Sequence, residues 1–253
     1  MVIGIVPARY GSTRFLGKPL LKIGNKTMIE RVYAQASLAQ SLSWVAVATD
    51  DKRIFDAVVA FGGRAIMTKT THENGTSRCA EAVALLGLAP QVVINIQGDE
   101  PFIEPEQIDA LASVFLQNQS VQIATLIKKI TEPAELLSPN CVKAVVDNHG
   151  KALYFSRAAL PHHRDVPNPA HWLNHQTHYK HIGLYGYKTE ILQQIAALPP
   201  TDLEQTEALE QLRWLQHGYT IHTATTQHQS IAIDTPADLE RILQTMPELL
   251  INT

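Results

Sequence analysis

The first half of the chain repeats one pattern: a short run that is apolar throughout, a turn, a stretch of helical period, then another apolar run. The apolar runs begin VIGIVPA (2–8), SWVAVATD (43–50), RAIMT (64–68) and QVVINIQGDEP (91–101). Between them lie TMIERVYAQASLAQ (27–40), DKRIFDAVVAFGG (51–63) and TSRCAEAVALLG (76–87), and EPEQIDALASVFLQN (104–118) follows the fourth. A strand with one wet face alternates polar and apolar residues, whereas a strand buried on both faces is apolar at every position. Strands of the second kind alternating with helices predict an α/β fold with a mostly parallel central sheet and helices on both faces.

Local signals agree. Thr27 is placed to cap a helix that shows Met28, Val32 and Ala36 on one face, Asp51 sits early in the next helix, and Gly87 stops the third. The second half changes character. VQIATLIKKI (121–130), CVKAVVDNHG (141–150) and KALYFSR (151–157) read as strands, the last two joined at Asn148, His149 and Gly150. Residues 160–179 are rich in Pro, His and Asn without a period and read as a long loop or inserted arm. HIGLYGYK (181–188) resumes as a strand, TEALEQLRWLQHG (206–218) reads as one helix ended by Gly218, YTIHTATT (219–226) as a strand and DTPADLERILQTM (234–246) as a final helix. The expectation is one domain over 1–253, with a smaller inserted sheet or arm at about 140–190.

The 253 residues carry a net charge of −3, which argues against a nucleic-acid or membrane-surface partner. Positive charge clustered in one loop is therefore informative. Cys79 and Cys141 are too few for a disulfide framework or a zinc site, and they read as small buried residues of a cytoplasmic protein. No apolar run reaches the roughly 18 residues of a membrane-spanning helix.

The charged loop is PARYGSTRFLGKPL (7–20), with Arg9, Arg14 and Lys18 around Gly11 and Gly17. A Walker A loop needs four residues between its glycines and a hydroxyl after the lysine; here there are five, and Pro19 follows. The dinucleotide pattern G-x-G-x-x-G is also absent. What remains is a basic loop at the carboxyl end of the first parallel strand, where open α/β sheets bind ligands, with glycines that let amides approach an anion. A solvated basic loop is the alternative. A second segment, NIQGDEPFI (95–103), puts Gln97, Asp99 and Glu100 after another apolar strand, where a carboxylate can hold Mg²⁺ completed by phosphate oxygens; an acidic turn is the alternative. A third, SIAIDTPADL (230–239), offers Asp234, which also reads as a plain helix cap. Histidines 162, 163, 171, 175 and 178 lack tight ligand spacing, and no metal role is expected of them.

Taken together, PARYGSTRFLGKPL, HENGTSR, VVINIQGDEPFI, LYFSRAALP, HIGLYGY, LEQLR and IDTPADLERI, in that order, resemble the 3-deoxy-D-manno-octulosonate cytidylyltransferase (CMP-KDO synthetase) family over nearly the whole chain. The resemblance implies a Rossmann-like nucleotide-diphospho-sugar transferase fold and the transfer of CMP from CTP to 3-deoxy-D-manno-octulosonate (KDO), releasing pyrophosphate, for the inner core of lipopolysaccharide. By it, Arg9, Ser12, Arg14 and Lys18 bind the triphosphate, Arg14 and Lys18 stabilise the leaving pyrophosphate, and Asp99 and Asp234 hold Mg²⁺. Gly75, Thr76, Arg78 and Gln97 belong to the nucleotide pocket. Arg157, Arg164, His181, Tyr185, Glu210 and Gln211 belong to the sugar. The resemblance also implies a homodimer.

Three departures from the family pattern stand out. Leu16 replaces the proline usual before Gly17, Asn74 and Ser77 replace the residues usual in the S-G-T-D/E-R turn, and His162-His163 replaces Trp-Asp, so that a KDO variant is a second candidate for the sugar. Two rival readings stay open. One is a different CMP-sugar or dTDP-glucose type synthetase, which would lack the joint QGDEP and HIGLYGY pattern. The second is a non-catalytic nucleotide-sugar sensor, which would have no use for a metal at the α-phosphate.

Overall fold

The structure, a computed structural model, describes residues 1–11, 15–229, 232–233 and 235–245. Its strands are β1 (Val2–Ala8), β2 (Lys22–Ile23), β3 (Lys26–Thr27), β4 (Trp44–Thr49), β5 (Ala65–Met67), β6 (Val92–Asn95), β7 (Ile123–Lys129), β8 (Lys143–Val146), β9 (Ala152–Ser156), β10 (Tyr179–Lys188) and β11 (Ile221–Thr225). Its α-helices are α1 (Met28–Leu38), α2 (Lys52–Ala60), α3 (Gly75–Leu85), α4 (Pro105–Gln117), α5 (Pro133–Leu137), α6 (Thr189–Ala196), α7 (Asp202–Glu207), α8 (Gln211–Gln216) and α9 (Pro236–Thr245).

The main sheet runs β11-β7-β10-β6-β1-β4-β5. β1 is parallel to β4 and β6, β4 to β5, and β7 to β11, while β10 is antiparallel to both β6 and β7. β8 adds antiparallel to the first residues of β10 and pairs with β9 in turn. β2 and β3 form a separate small hairpin.

The uniformly apolar strands are explained by the layers. Val2, Val6 and Ala8 of β1 join Val45 and Val47 of β4 in a core under α1, α2 and α4, which supply Val32, Val58 and Leu111. Ile3 and Ile5 point the other way, with Ala46, Ala48 and Val93, into a second core closed by Cys79 and Val83 of α3, Leu192 of α6 and Trp214 of α8. Alternate side chains enter opposite cores, so no position on β1 can be polar. Cys79 is buried as expected, whereas Cys141 is only half-buried, at the start of the β8 hairpin. Thr27 caps α1 with a full capping box to Glu30.

The helix expected over 206–218 is two helices. α7 ends at Glu207, Ala208 takes a left-handed conformation with φ 50°, and α8 begins at Gln211. The cause is a set of bonds from a distant strand end. The Glu207 carboxylate accepts from the Ser156 hydroxyl at 2.5 Å and the Arg157 amide at 2.9 Å, and the Arg157 guanidinium donates to the carbonyls of Glu207 (2.7 Å) and Ala208 (3.3 Å). Carbonyls held that way cannot continue a helical ladder. Arg213 then ties the two pieces together with a two-pronged bond to Glu204, at 2.6 and 2.7 Å.

The break makes a signed prediction. A glycine in a helix interior costs about 1 kcal/mol relative to alanine, but at a left-handed position glycine relieves strain. Ala208→Gly is expected to leave stability unchanged or raise it by up to about 1 kcal/mol in urea denaturation; a loss of about that size would mean the helix is continuous.

Candidate functional site

The basic loop leaves the carboxyl end of β1 and closes on itself: the Gly17 amide donates to the Tyr10 carbonyl at 3.0 Å. Gly17 has φ 71°, which glycine adopts without penalty, and a Cβ there would lie 3.1 Å from the Tyr10 ring. Leu16, in place of the family's proline, is exposed, and the closure does not depend on it. Arg53 of α2 covers the Tyr10 ring, its guanidinium carbon 3.3 Å from the ring centroid. Arg9 is exposed at the base of the loop. Ser12 and Arg14 lie outside the described residues.

Across the cleft, the chain leaving β6 passes directly over the end of β1. A Cβ on Gly98 would sit 2.8 Å from the Pro7 carbonyl oxygen, so only glycine allows this approach. The approach puts Asp99 within reach of the loop, where Lys18 Nζ donates to Asp99 Oδ2 at 2.8 Å. The Ile233 amide donates to the Asp99 carbonyl at 3.0 Å, so the segment before α9 is held against the same residue. Asp234, next in sequence, lies outside the described residues. Among the described residues no three His, Cys, Asp or Glu side chains form a metal-holding group. The donor chemistry still fits a hard divalent cation: a carboxylate oxygen beside a basic loop, where the oxygens of a bound anion could complete the shell. Glu100 is buried.

The third wall is the N-terminus of α3. Asn74 caps it, its Oδ1 accepting the Ser77 amide at 2.8 Å. The two departures in this turn thus bond each other and keep ordinary cap chemistry. Arg78 is buried and its guanidinium is spent on the neighbouring strand ends, donating to Asp50 Oδ2 (2.8 Å) and Thr68 Oγ1 (2.7 Å). His72 and Glu81 form a close pair, Nε2 to Oε2 at 2.5 Å. One cleft is lined by Arg9, Lys18, His72, Glu73, Asn74, Gly75, Arg78, Gln97 and Asp99, among others. His72 and Glu73 carried no expectation from sequence; they belong to the HENGTSR turn, but nothing in their spacing marks them.

The residues expected for the sugar are not part of that lining. Most gather behind it, around the half-buried Glu210. Thr76 Oγ1 donates to Glu210 Oε2 at 3.1 Å. Burial pushes the Glu210 carboxyl up to about 7, against the pull of the Thr76 bond and of Arg213. Tyr185 and Tyr187 are pushed above the usual phenol value, first by burial and then by Glu210. Tyr185 packs edge-on to Trp214 at 5.0 Å and against the His181 ring at 5.2 Å. Burial lowers His181 to about 3, so its ring is neutral. Its Nε2 lies 3.0 Å from Thr125 Oγ1, whose one proton has the Ile182 and Leu184 carbonyls within 3.1 and 2.9 Å; Nε2 is therefore the protonated nitrogen. Gln211 is buried, and its Nε2 has no partner among the described residues. Arg157 is held by the carbonyls at the helix break. Arg164 stands apart, exposed in the 160–178 arm beside Asp165 and Gln176. In that arm His162 packs edge-on to Trp172 at 4.9 Å and His163 against His175 at 5.2 Å.

With this geometry in hand, comparison with known proteins gives three findings. The cytidylyltransferase family pattern matches residues 3–222. The chain is 48% identical over 244 residues to a 3-deoxy-manno-octulosonate cytidylyltransferase of Cytophaga hutchinsonii, covering 96% of this chain and 97% of that one, and 50% identical over 241 residues to that of Bacteroides thetaiotaomicron, covering 94% and 95%. Among solved structures, a CMP:2-keto-3-deoxy-manno-octonic acid synthetase complexed with CTP superposes with a TM-score of 0.89 at 40% identity, covering 98% of each chain.

The raised Glu210 carboxyl has a consequence for stability. Between the ordinary carboxylate range and about pH 7, the folded protein holds a proton there that the unfolded chain has released. Stability therefore falls as pH rises through that window. Glu210→Gln is expected to match the unsubstituted protein near pH 4.5 and to exceed it at pH 8, by about 3 kcal/mol at most. Urea denaturation at both pH values checks this, and an equal difference at the two would contradict it.

Proposed function

The chain belongs to the cytidylyltransferase family, and from that premise we propose that it transfers CMP from CTP to KDO, giving CMP-KDO and pyrophosphate for the inner core of lipopolysaccharide. The observation that carries the proposal is one cleft at the carboxyl ends of β1 and β6 in which Lys18 and Asp99 meet, in a chain that matches a CTP-bound synthetase along its whole length.

In this reading Arg9, Arg14 and Lys18, with Ser12, take the triphosphate, and Gly75, Thr76, Arg78 and Gln97 shape the nucleotide pocket. Asp99 and Asp234 hold Mg²⁺. Bound there, the ion supplies charge neutralisation at the α-phosphate. Lys18 is paired with Asp99 before substrate arrives, so the lysine is aimed at the cleft at no further cost in side-chain freedom. Moving it onto phosphate oxygens frees the carboxylate for the cation. The α3 N-terminus adds the positive end of a helix to the same rim. The chain's task is to align two anions, the nucleotide and the sugar acid, for in-line attack by the anomeric hydroxyl.

The sugar side consists of Arg157, Arg164, His181, Tyr185, Glu210 and Gln211. Its support is chemical: the buried Gln211 Nε2 and Trp214 Nε1 lack partners among the described residues, and sugar hydroxyls are matching acceptors. For Arg157 to clamp the sugar's carboxylate, its guanidinium must exchange the Glu207 and Ala208 carbonyls for it. A homodimer and a cytoplasmic place of action complete the proposal, carried by the resemblance alone. No helix among the described residues is long and apolar enough to cross a membrane.

Pyrophosphate release in the presence of CTP and KDO tests the proposal. Activity is expected with Mg²⁺ and is expected to vanish on chelation. Asp99→Ala and Lys18→Ala should each lower kcat by about 10²–10³. Turnover with glucose 1-phosphate and dTTP, and none with KDO and CTP, would overturn the assignment; CTP binding that neither substitution alters, without turnover, would point to a sensor.

A further inference from the structure

Helix α3 grips the segment before it with two side chains of opposite charge. Glu81 Oε2 accepts the Lys69 amide at 2.8 Å and the His72 ring at 2.5 Å. Arg78, one turn earlier on the helix, donates to the Lys69 carbonyl at 3.5 Å and to the Thr68 hydroxyl at 2.7 Å. Lys69 is thus held at both its amide and its carbonyl, and the turn that follows is fixed with it.

What the grip presents is His72, which lines the cleft together with Lys18 and Asp99. The His72 and Glu81 side chains are only 15% and 17% exposed, so this is no solvated surface pair of negligible weight. With a carboxylate on Nε2, that nitrogen carries a proton, and Nδ1 is the ring nitrogen Glu81 does not hold. Charge divides the cleft. Arg9 and Lys18 mark its cationic part, suited to phosphates. The part formed by His72 and Glu73, with Glu81 behind, carries acidic groups, and Arg78 beside it is spent on Asp50 and Thr68, so it suits a neutral group better than a phosphate. A ribose hydroxyl or a pyrimidine edge is neutral and can bond to an oriented imidazole.

We propose that His72 contacts the nucleoside half of the bound nucleotide and that Glu81 is the positioning residue that orients it. The inference deepens the cytidylyltransferase reading and rests on it. Glu81 does not touch the substrate; it acts through the His72 ring and through the turn held at Lys69. His72 contributes ground-state binding of the nucleoside, equally present in the transition state, and so acts on nucleotide affinity and not on the chemical step.

The test uses Glu81→Gln, His72→Asn and the double variant, with steady-state kinetics in CTP and in KDO, equilibrium CTP binding, and thermal melting. Glu81→Gln keeps an oxygen for the Lys69 amide and the His72 ring, which share Glu81 Oε2, and removes the carboxylate charge, so it weakens the hold on the ring while the segment keeps its bond. The expected result is a rise of about tenfold in the KM and Kd for CTP in each single variant, with kcat and the KM for KDO within about twofold. The double variant is expected to resemble the singles, because both break one unit. Unchanged CTP affinity in His72→Asn would overturn the inference. So would a parallel change in kcat and both KM values accompanied by a lower melting temperature in Glu81→Gln, which is the signature of a purely structural clasp. An unsubstituted protein that releases no pyrophosphate from CTP and KDO removes the enzymatic reading and this inference together, whereas an active one with unaltered variants removes this inference alone.

Discussion

The site exists because two parallel strands end side by side and the chain leaving one can lie across the end of the other. Parallel strands put their carboxyl ends on one edge, so β1 and β6 deliver their following loops to the same place. Gly98 then lets the second loop pass within contact of the Pro7 carbonyl. Without that approach Asp99 would not reach Lys18, and the basic loop and the carboxylate would be two unrelated surface features. The antiparallel β10, wedged between β6 and β7, carries the His181 and Tyr185 side chains to the neighbouring side of the same edge.

The cleft is electrostatically divided, and the division is built into the backbone. The loop after β1 supplies cations, the loop after β6 an acid, and the α3 N-terminus its positive helix end. The cluster around Glu210 is of another kind: partly enclosed, aromatic, and centred on a carboxyl that keeps its proton to about pH 7. A hydrogen bond from Thr76 to Glu210 joins the two regions across 134 positions of sequence. It connects the first turn of α3 to the residue that opens α8, so the two regions are mechanically linked.

Much of the fold was legible, for a physical reason. β1, β4 and β6 are buried on both faces, and a chain can announce that only by being apolar at every position. A short cap was legible too, since Thr27 acts on an amide three residues away, whereas Asp51, read as part of a first turn, is the cap that precedes its helix. The helix break at Ala208 was not, because its cause lies at Ser156 and Arg157, about fifty positions away. The eight-residue α6 and the five-residue α5 are too short to show a period. In the site, Arg9, Lys18, Gly75, Arg78, Gln97 and Asp99 could be picked out by motif, and they line one cleft. His72 and Glu81 could not, since their partnership depends on a turn folding back on a helix. The contact of His181 with Thr125 and the engagement of Arg157 by carbonyls were equally invisible, because both are set by packing between distant segments.

The central claim is that the acid at the end of β6 and the lysine of the β1 loop serve one bound nucleotide together with a divalent ion. A crystal grown with CTP and Mn²⁺ in place of Mg²⁺ tests it through the anomalous signal of the metal. The account predicts one strong peak bonded to the Asp99 carboxylate and to an α-phosphate oxygen, with Lys18 turned onto the phosphates. A peak remote from Asp99, with the Lys18–Asp99 pair still closed over a bound nucleotide, would contradict it.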